Sequence, residues 1–168
     1  MDMMTKEQAA SALASREGKY LTFAVADEEY GIGILKVKEI IGMMAITTVP
    51  RTPVYVKGVI NLRGKVIPVV DLRSKFGMEA AEYTERTCII VVEISSEQQK
   101  ILMGIVVDSV SEVLNIRAGE IEEAPNFGSR LDTDYILGMA KTNGGVKILL
   151  DIDKVLSREE MTALDKVA

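Results

Sequence analysis

The stretch KGVINLRGKVIPVVDLRSKF, Lys57 to Phe76, reads as strand, tight turn, strand and helix start. Val59-Ile60 and Val66 to Val70 are apolar runs rich in β-branched residues, the composition of strands. Asn61-Leu62-Arg63-Gly64 lies between them, and Gly64 can take the positive φ that a hairpin turn needs. Pro68 has no N–H for a ladder, which suits an edge strand or a bulge. Asp71 is a good N-cap for a short helix, Leu72 to Phe76. Arg63 is the unusual residue: a long cation at the tip of a hairpin between two apolar strands. A solvated turn cation is one reading of it, a binding residue the other.

Outward from this hairpin the chain is a succession of short strands. Residues 1–17 form a polar, Ala-rich arm with helical character, followed by one domain over 18–168. Tyr20 to Ala26 alternates as a strand, and Asp27-Glu28-Glu29 turns it into Tyr30 to Ile34. Leu35 to Ile41 fits either a helical turn or a bent strand, and Ile46 to Pro53 is a loop. A polar linker, Glu79 to Arg86, precedes a strand at Thr87 to Ile94, a turn at Ser95 to Gln99 and a partner strand at Lys100 to Val107. Glu120 to Asp134 reads as a long polar loop. Tyr135 to Thr142 and Val146 to Ile152 make a last hairpin across Asn143-Gly144-Gly145. Ser157 and Glu160 form a capping box for a terminal helix, Arg158 to Lys166.

The two halves of the chain match each other. YGIGILKVKEII, Tyr30 to Ile41, aligns without a gap to MGIVVDSVSEVL, Met103 to Leu114, at an offset of 73 residues (104 − 31). GVINLRGKVIPVVDL, Gly58 to Leu72, aligns to GMAKTNGGVKILLDI, Gly138 to Ile152, at an offset of 80 (138 − 58). The longer second loop absorbs the difference. Two matches in the same order indicate a duplicated β unit, with halves at about 19–77 and 87–157. The fold class is therefore mainly β: two five-stranded β-barrel lobes, of SH3- or OB-like kind, with short helices and a C-terminal helix. Glycines, apolar alternation and the capping aspartate recur in both halves and belong to the fold. Arg63 has no counterpart, because Asn143 stands opposite it.

Catalytic equipment is sparse. The 168 residues contain no histidine, so the commonest general base and metal ligand is missing. No phosphate-cradling GxxxxGK[ST] or GxGxxG is present. The acidic groups Asp27-Glu28-Glu29, Glu122-Glu123 and Asp132-x-Asp134 fall in expected loops without the spacing of a calcium loop. Cys88, the only cysteine, lies in the apolar run CIIVV and reads as a small buried hydrophobe. A single cysteine rules out an internal disulfide framework and fits a cytoplasmic setting. Net charge of −5 and a scarcity of aromatic residues argue against nucleic acid as a partner. No apolar run approaches the ~20 residues of a membrane helix. No catalytic, metal or cofactor residue is assigned, and a protein-binding module is favoured over an enzyme. The alternatives in other classes are a small hydrolase using loop carboxylates and a nucleic-acid-binding β-barrel.

The runs YGIGILKVKEI, VKGVINLRGKVIPVVDLRSKFG and GIVVDSVSEVL, with the C-terminal hairpin and SREEMTALD, resemble the CheW family of bacterial chemotaxis coupling proteins. The similarity covers roughly Lys19 to Asp165, and NLRG followed by PVVDLR is its most specific part. The resemblance implies two β-barrel lobes with segments exchanged between them. It also implies a non-enzymatic adaptor that joins the cytoplasmic tips of methyl-accepting chemoreceptors to the regulatory domain of the histidine kinase CheA. Such an adaptor needs no cofactor and does not insert into the membrane; it sits in the cytoplasm at receptor arrays on the inner face. A coupler for a non-chemotaxis array, steering surface motility or development, is the nearer alternative. Glu39 and Arg63 match the family's interaction pair, and Val37, Gly58, Val113 and Gly138 match positions where receptor or kinase binding is sensitive.

Three expectations follow for the site. Glu39 and Arg63 approach each other near the surface. An inter-lobe groove takes a receptor helix hairpin, with Val37, Ile105, Val107 and Val113 as its apolar floor. Each lobe presents its own protein-binding face, as a duplicated fold allows.

Overall fold

The computed structural model describes residues 16–96, 99–123, 135–143 and 145–156. Its strands are β1 (Gly18–Val25), β2 (Glu28–Gly33), β3 (Val37–Gly42), β4 (Val56–Leu62), β5 (Lys65–Asp71), β6 (Cys88–Ser96), β7 (Gln99–Val107), β8 (Ser109–Ile116), β9 (Ile121–Glu122), β10 (Ile136–Thr142) and β11 (Gly145–Leu150). One short α-helix, α1 (Leu72–Lys75), follows β5, and 3-10 turns occupy Ile34–Lys36, Ala118–Glu120 and Ile152–Lys154.

The β4–β5 hairpin closes with Leu62 opposite Lys65, leaving Arg63-Gly64 as a two-residue loop. Both loop residues have positive φ, +52° and +88°, as a type I′ turn requires to match the twist of its strands. Asp71 caps α1 by accepting the Arg73 N–H at 2.9 Å, and the duplicated Asp151 accepts the Asp153 N–H at 3.1 Å. Lone backbone bonds repeat as well: Asp71 N–H reaches Tyr55 O at 2.8 Å, and Asp151 N–H reaches Tyr135 O at 2.7 Å.

The copies do not fold separately. One sheet runs β8-β1-β2-β11-β10-β9 and the other β3-β6-β7-β5-β4. The first hairpin of each copy has therefore crossed into the other copy's lobe. The crossings are parallel pairings at matching registers, Leu149 with Gly31 and Val69 with Gly104. The two-lobe β architecture expected from the sequence is present. Its strands number six and five, and among the described residues neither sheet is hydrogen-bonded into a closed cylinder. In the five-stranded lobe β3 and β4 are the edges, and a single bridge between Thr47 and Val59 stands where β9 pairs with β10 in the other lobe.

Strand alternation feeds three cores. On β7, Met103, Ile105 and Val107 point to a core shared by both lobes, while Val106 points into the five-stranded lobe. On β6, Ile90, Val92 and Ile94 go to the shared core, and Ile89 and Val91 to the lobe. Tyr20, Ile116, Ile121, Ala140 and Leu149 fill the six-stranded lobe. Burying each large side chain contributes about 1.5–3 kcal/mol, so the shared core welds the lobes together.

Some local readings shift. Ala26-Asp27 makes the first turn, and β2 already begins at Glu28, because Val25 pairs with Glu28. Leu35 to Ile41 splits into the end of a 3-10 turn and the strand β3. The expected loop from Glu120 contains β9 at its start; its remainder, 124–134, lies outside the described residues. So do most of the N-terminal arm and the expected terminal helix with its capping box.

Candidate functional site

Glu39 and Arg63 meet. β3 delivers Glu39 just past a bulge between Val37 and Glu39, and the type I′ turn delivers Arg63. Arg63 Nη1 donates to Glu39 Oε1 at 3.0 Å, and Nη2 to Oε2 at 2.6 Å, the two-pronged geometry that a guanidinium forms best. A side chain in the left-handed region costs about 1–2 kcal/mol, which Gly at this site would avoid. Asn61 supports the turn by accepting the Gly64 N–H on Oδ1 at 2.8 Å. The Arg63 hydrogen bonds hold the Glu39 carboxyl below its usual range and push the guanidinium up. The Arg63 side chain remains 71% exposed, so the pair faces solvent.

The pair stands at the mouth of the five-stranded lobe. A shallow depression of ≈ 450 Å³ opens there, with Leu62, Val91 and Leu102 as apolar floor and Lys38, Lys65, Lys100 and Glu93 around it. Glu93 is shared by Lys38 at 3.8 Å and Lys100 at 3.9 Å. Four cations thus surround two carboxylates on a chain with net charge −5. The second copy does not repeat this. Its Glu112 is exposed, with its backbone stitched to the Thr22 hydroxyl at 2.8 and 3.1 Å, and Asn143 takes the place of the arginine.

The other expected residues divide. Ile105 and Val107 are 0% and 1% exposed in the shared core, so they cannot form the floor of an open groove. The seam they line is filled by both lobes, because alternation on β7 turns them inward. Val37 is half-buried against the same core, while Val113 on β8 is exposed. Gly58 and Gly138 are buried at bulges, where β4 and β10 each shift register. Gly58 has φ +140°, and a Cβ there would lie 2.0 Å from Thr47 O, at the isolated bridge between Thr47 and Val59. A Cβ on Gly138 would lie 2.6 Å from Ile121 Cγ2 and 2.9 Å from Glu122 O. Both glycines admit a neighbouring strand rather than a ligand.

Sequence reading missed a second feature. Ile40 and Val113, equivalent at offset 73, are 45% and 48% exposed; Val66 and Val146, equivalent at offset 80, are 51% and 56% exposed. Each lobe thus shows the same two branched aliphatic side chains to solvent. The alignment already placed these residues opposite each other, and strand alternation was the signal that could have found them.

Cys88 is half-buried, and burial pushes its thiol up, away from the reactive thiolate. Among the described residues no cluster of three or more Cys, Asp or Glu could hold a metal ion, and no helix is long and apolar enough to cross a membrane.

Comparison with known proteins gives a consistent picture. The family model for the CheW-like domain matches residues 19–160. The chain is 44% identical over 150 residues to the chemotaxis protein CheW of Klebsiella aerogenes, covering 89% of this chain and 88% of that one. It is 28% identical over 163 residues to the protein FrzA of Myxococcus xanthus, covering 96% and 99%. The crystal structure of the scaffolding protein TtCheW from Thermoanaerobacter tengcongensis superposes with a TM-score of 0.76 at 35% identity, over 86% of this chain and 97% of that one. The family match takes in both lobes and the Glu39–Arg63 mouth: the chain belongs to the CheW family.

Proposed function

We propose that this protein is a non-catalytic coupling scaffold that joins chemoreceptor cytoplasmic tips to the regulatory domain of the histidine kinase CheA. The observation that carries the reading is the Glu39–Arg63 pair, two-pronged yet exposed, set among lysines over an apolar floor. An exposed ion pair does little for folding. At an interface the same charges fix register and reject wrong partners. The excess of cations suits an acidic partner segment that also brings an aliphatic anchor. Of the family-matched positions, Glu39, Arg63 and Val113 are offered for direct contact and Val37 for its rim, whereas Gly58 and Gly138, like the expected groove residues Ile105 and Val107, act through the frame.

The matched aliphatic pairs, Ile40 with Val66 and Val113 with Val146, support two similar but inequivalent faces. Such a molecule can bridge two partners and extend a lattice of weak contacts. It would work in the cytoplasm, at arrays on the inner face of the membrane. The likeness to FrzA favours a second reading, a coupler for a different sensory array. NMR shift mapping tests the proposal, using a receptor-tip fragment and the kinase regulatory domain in turn. Shifts should centre on the mouth and on Val113. Shifts absent from both lobes with both partners would refute it.

A further inference from the structure

Two of the ion pairs between the copies clamp the seam at matching places; of the others, Lys38 with Glu93 has the same polarity and Lys147 with Glu29 the opposite one. On one side Arg73, in α1, donates Nε to Asp108 Oδ1 at 3.0 Å and Nη2 to Oδ2 at 2.7 Å. The same Oδ2 accepts the Ala26 N–H at 2.7 Å. On the other side Lys36 Nζ donates to Asp153 Oδ2 at 2.7 Å, and Asp153 Oδ1 accepts the Ser95 N–H at 2.8 Å.

The two clamps occupy equivalent places. Arg73 and Asp153 each lie two residues past the capping aspartate of their copy, Asp71 and Asp151. Lys36 and Asp108 lie one position apart in the alignment at offset 73, which sets Asp108 on Leu35, but each comes directly before a strand, β3 and β8. Thr22 pairs with Gly31 and Val91 with Gly104, so the first strands of the copies align at an offset of 69 (91 − 22), which sets Ser95 on Ala26. Each clamp is thus a hairpin N–H and a helix-side residue from one copy, with a turn residue from the other.

The charges are not duplicated with the positions. Lys36 and Arg73 both belong to the first copy; Asp108 and Asp153 both belong to the second. Backbone pairing alone does not tell the copies apart, since the parallel crossings use corresponding registers. A first half could therefore dock on the first half of another chain with much the same ladders. That pairing would face Lys36 with Arg73. Two second halves would face Asp108 with Asp153. Discrimination between similar partners needs such a repulsive element as well as an attractive one.

We propose that the partition of charge within these two clamps, cations from the first half and anions from the second, selects the pairing of unlike halves and blocks association of like halves between chains. The blocked species is a domain-swapped contact, the hazard to which a duplicated, segment-exchanging fold is exposed.

The test uses full-length chains. One variant carries Lys36→Asp with Arg73→Asp, and the other carries Asp108→Lys with Asp153→Lys. Alone, each sets like charges in both clamps. Together they are complementary: the altered halves fit each other across chains, and the unaltered halves retain their native pairing. Combining all four substitutions in one chain interconverts the two clamps, so an aspartate at 73 can take the Ala26 N–H as Asp153 takes that of Ser95.

The two double variants are refolded from denaturant separately and as an equimolar mixture, with one of them ¹⁵N-labelled. Native mass spectrometry then counts the species. The expected result is a one-to-one heterodimer in the mixture, at least tenfold above either homodimer, and a monomeric fourfold variant that melts near the wild type. Double variants that do not fold alone leave the readout intact, because the mixture still supplies complementary halves. A mixture without heterodimer, homodimers as abundant as heterodimer, or a fourfold variant as unstable as the doubles would overturn the proposal.

Discussion

Glu39 on β3 and Arg63 in the β4–β5 turn form a two-pronged ion pair that spans the two open edges of the five-stranded sheet. Beside it, among the described residues, the Thr47–Val59 bridge is the one ladder contact that β4 makes on that side. Side chains thus close at the mouth what the backbone leaves open. The pair is well made but wet, and this separates its effect on folding from its effect on recognition.

Arg63→Glu should leave the melting temperature within a few degrees of wild type and weaken partner binding at least tenfold. Glu39→Lys should do the same. The double reversal should regain the pair but only part of the binding, since the partner's charges are unchanged. Thermal melts and titrations on the three variants check this; wild-type binding by Arg63→Glu would make Arg63 a plain turn cation.

The Glu39 carboxyl should titrate below the usual glutamate range, because Arg63 hydrogen-bonds its charged form. A folded-state pKa that is depressed gives stability that is present above the unfolded value and lost as pH falls through the folded one. The pair therefore persists through the ordinary glutamate range and opens only below it. Carboxyl NMR on wild type and Arg63→Ala reads this, and an unchanged midpoint in the variant would contradict it.

Gly58→Ala should destabilise by about 1–3 kcal/mol from the backbone strain alone, and further because Thr47 must move. Melting should fall by at least about 2–4 °C for a chain of this size. Gly138→Ala should cost less, since its φ is not in the left-handed region and the nearest atom belongs to a side chain. Equal and negligible effects would return both glycines to a direct binding role.

Ile105→Ala should cost about 2–5 kcal/mol by opening a cavity in the shared core, yet leave binding unchanged per folded molecule. Val113→Asp should show the reverse, with stability within about 0.5 kcal/mol and weaker binding. Denaturant melts paired with titrations distinguish them.

Much of this was legible in the sequence. The β-branched runs, Gly64 and Asp71 located the hairpin and its cap, and the offsets of 73 and 80 located the duplication. The meeting of Glu39 with Arg63 was also expected. The exchange of hairpins was not legible from residues, because a parallel pairing between distant segments leaves no local periodicity; it came only through the family resemblance. For the same reason Ile105 and Val107 looked like a groove floor: strand alternation says that they share a face, but not whether another sheet covers it. The four clamp charges escaped notice because each looks like an ordinary surface charge until the fold sets it beside its partner.

The most direct test of coupling is sedimentation velocity on the purified protein with the kinase regulatory domain and a receptor-tip fragment, singly and together. Each partner should bind alone, all three should form one faster species, and Arg63→Glu should weaken that species at least tenfold while remaining folded. Two partners that displace each other, with no three-component species at any concentration, would contradict it.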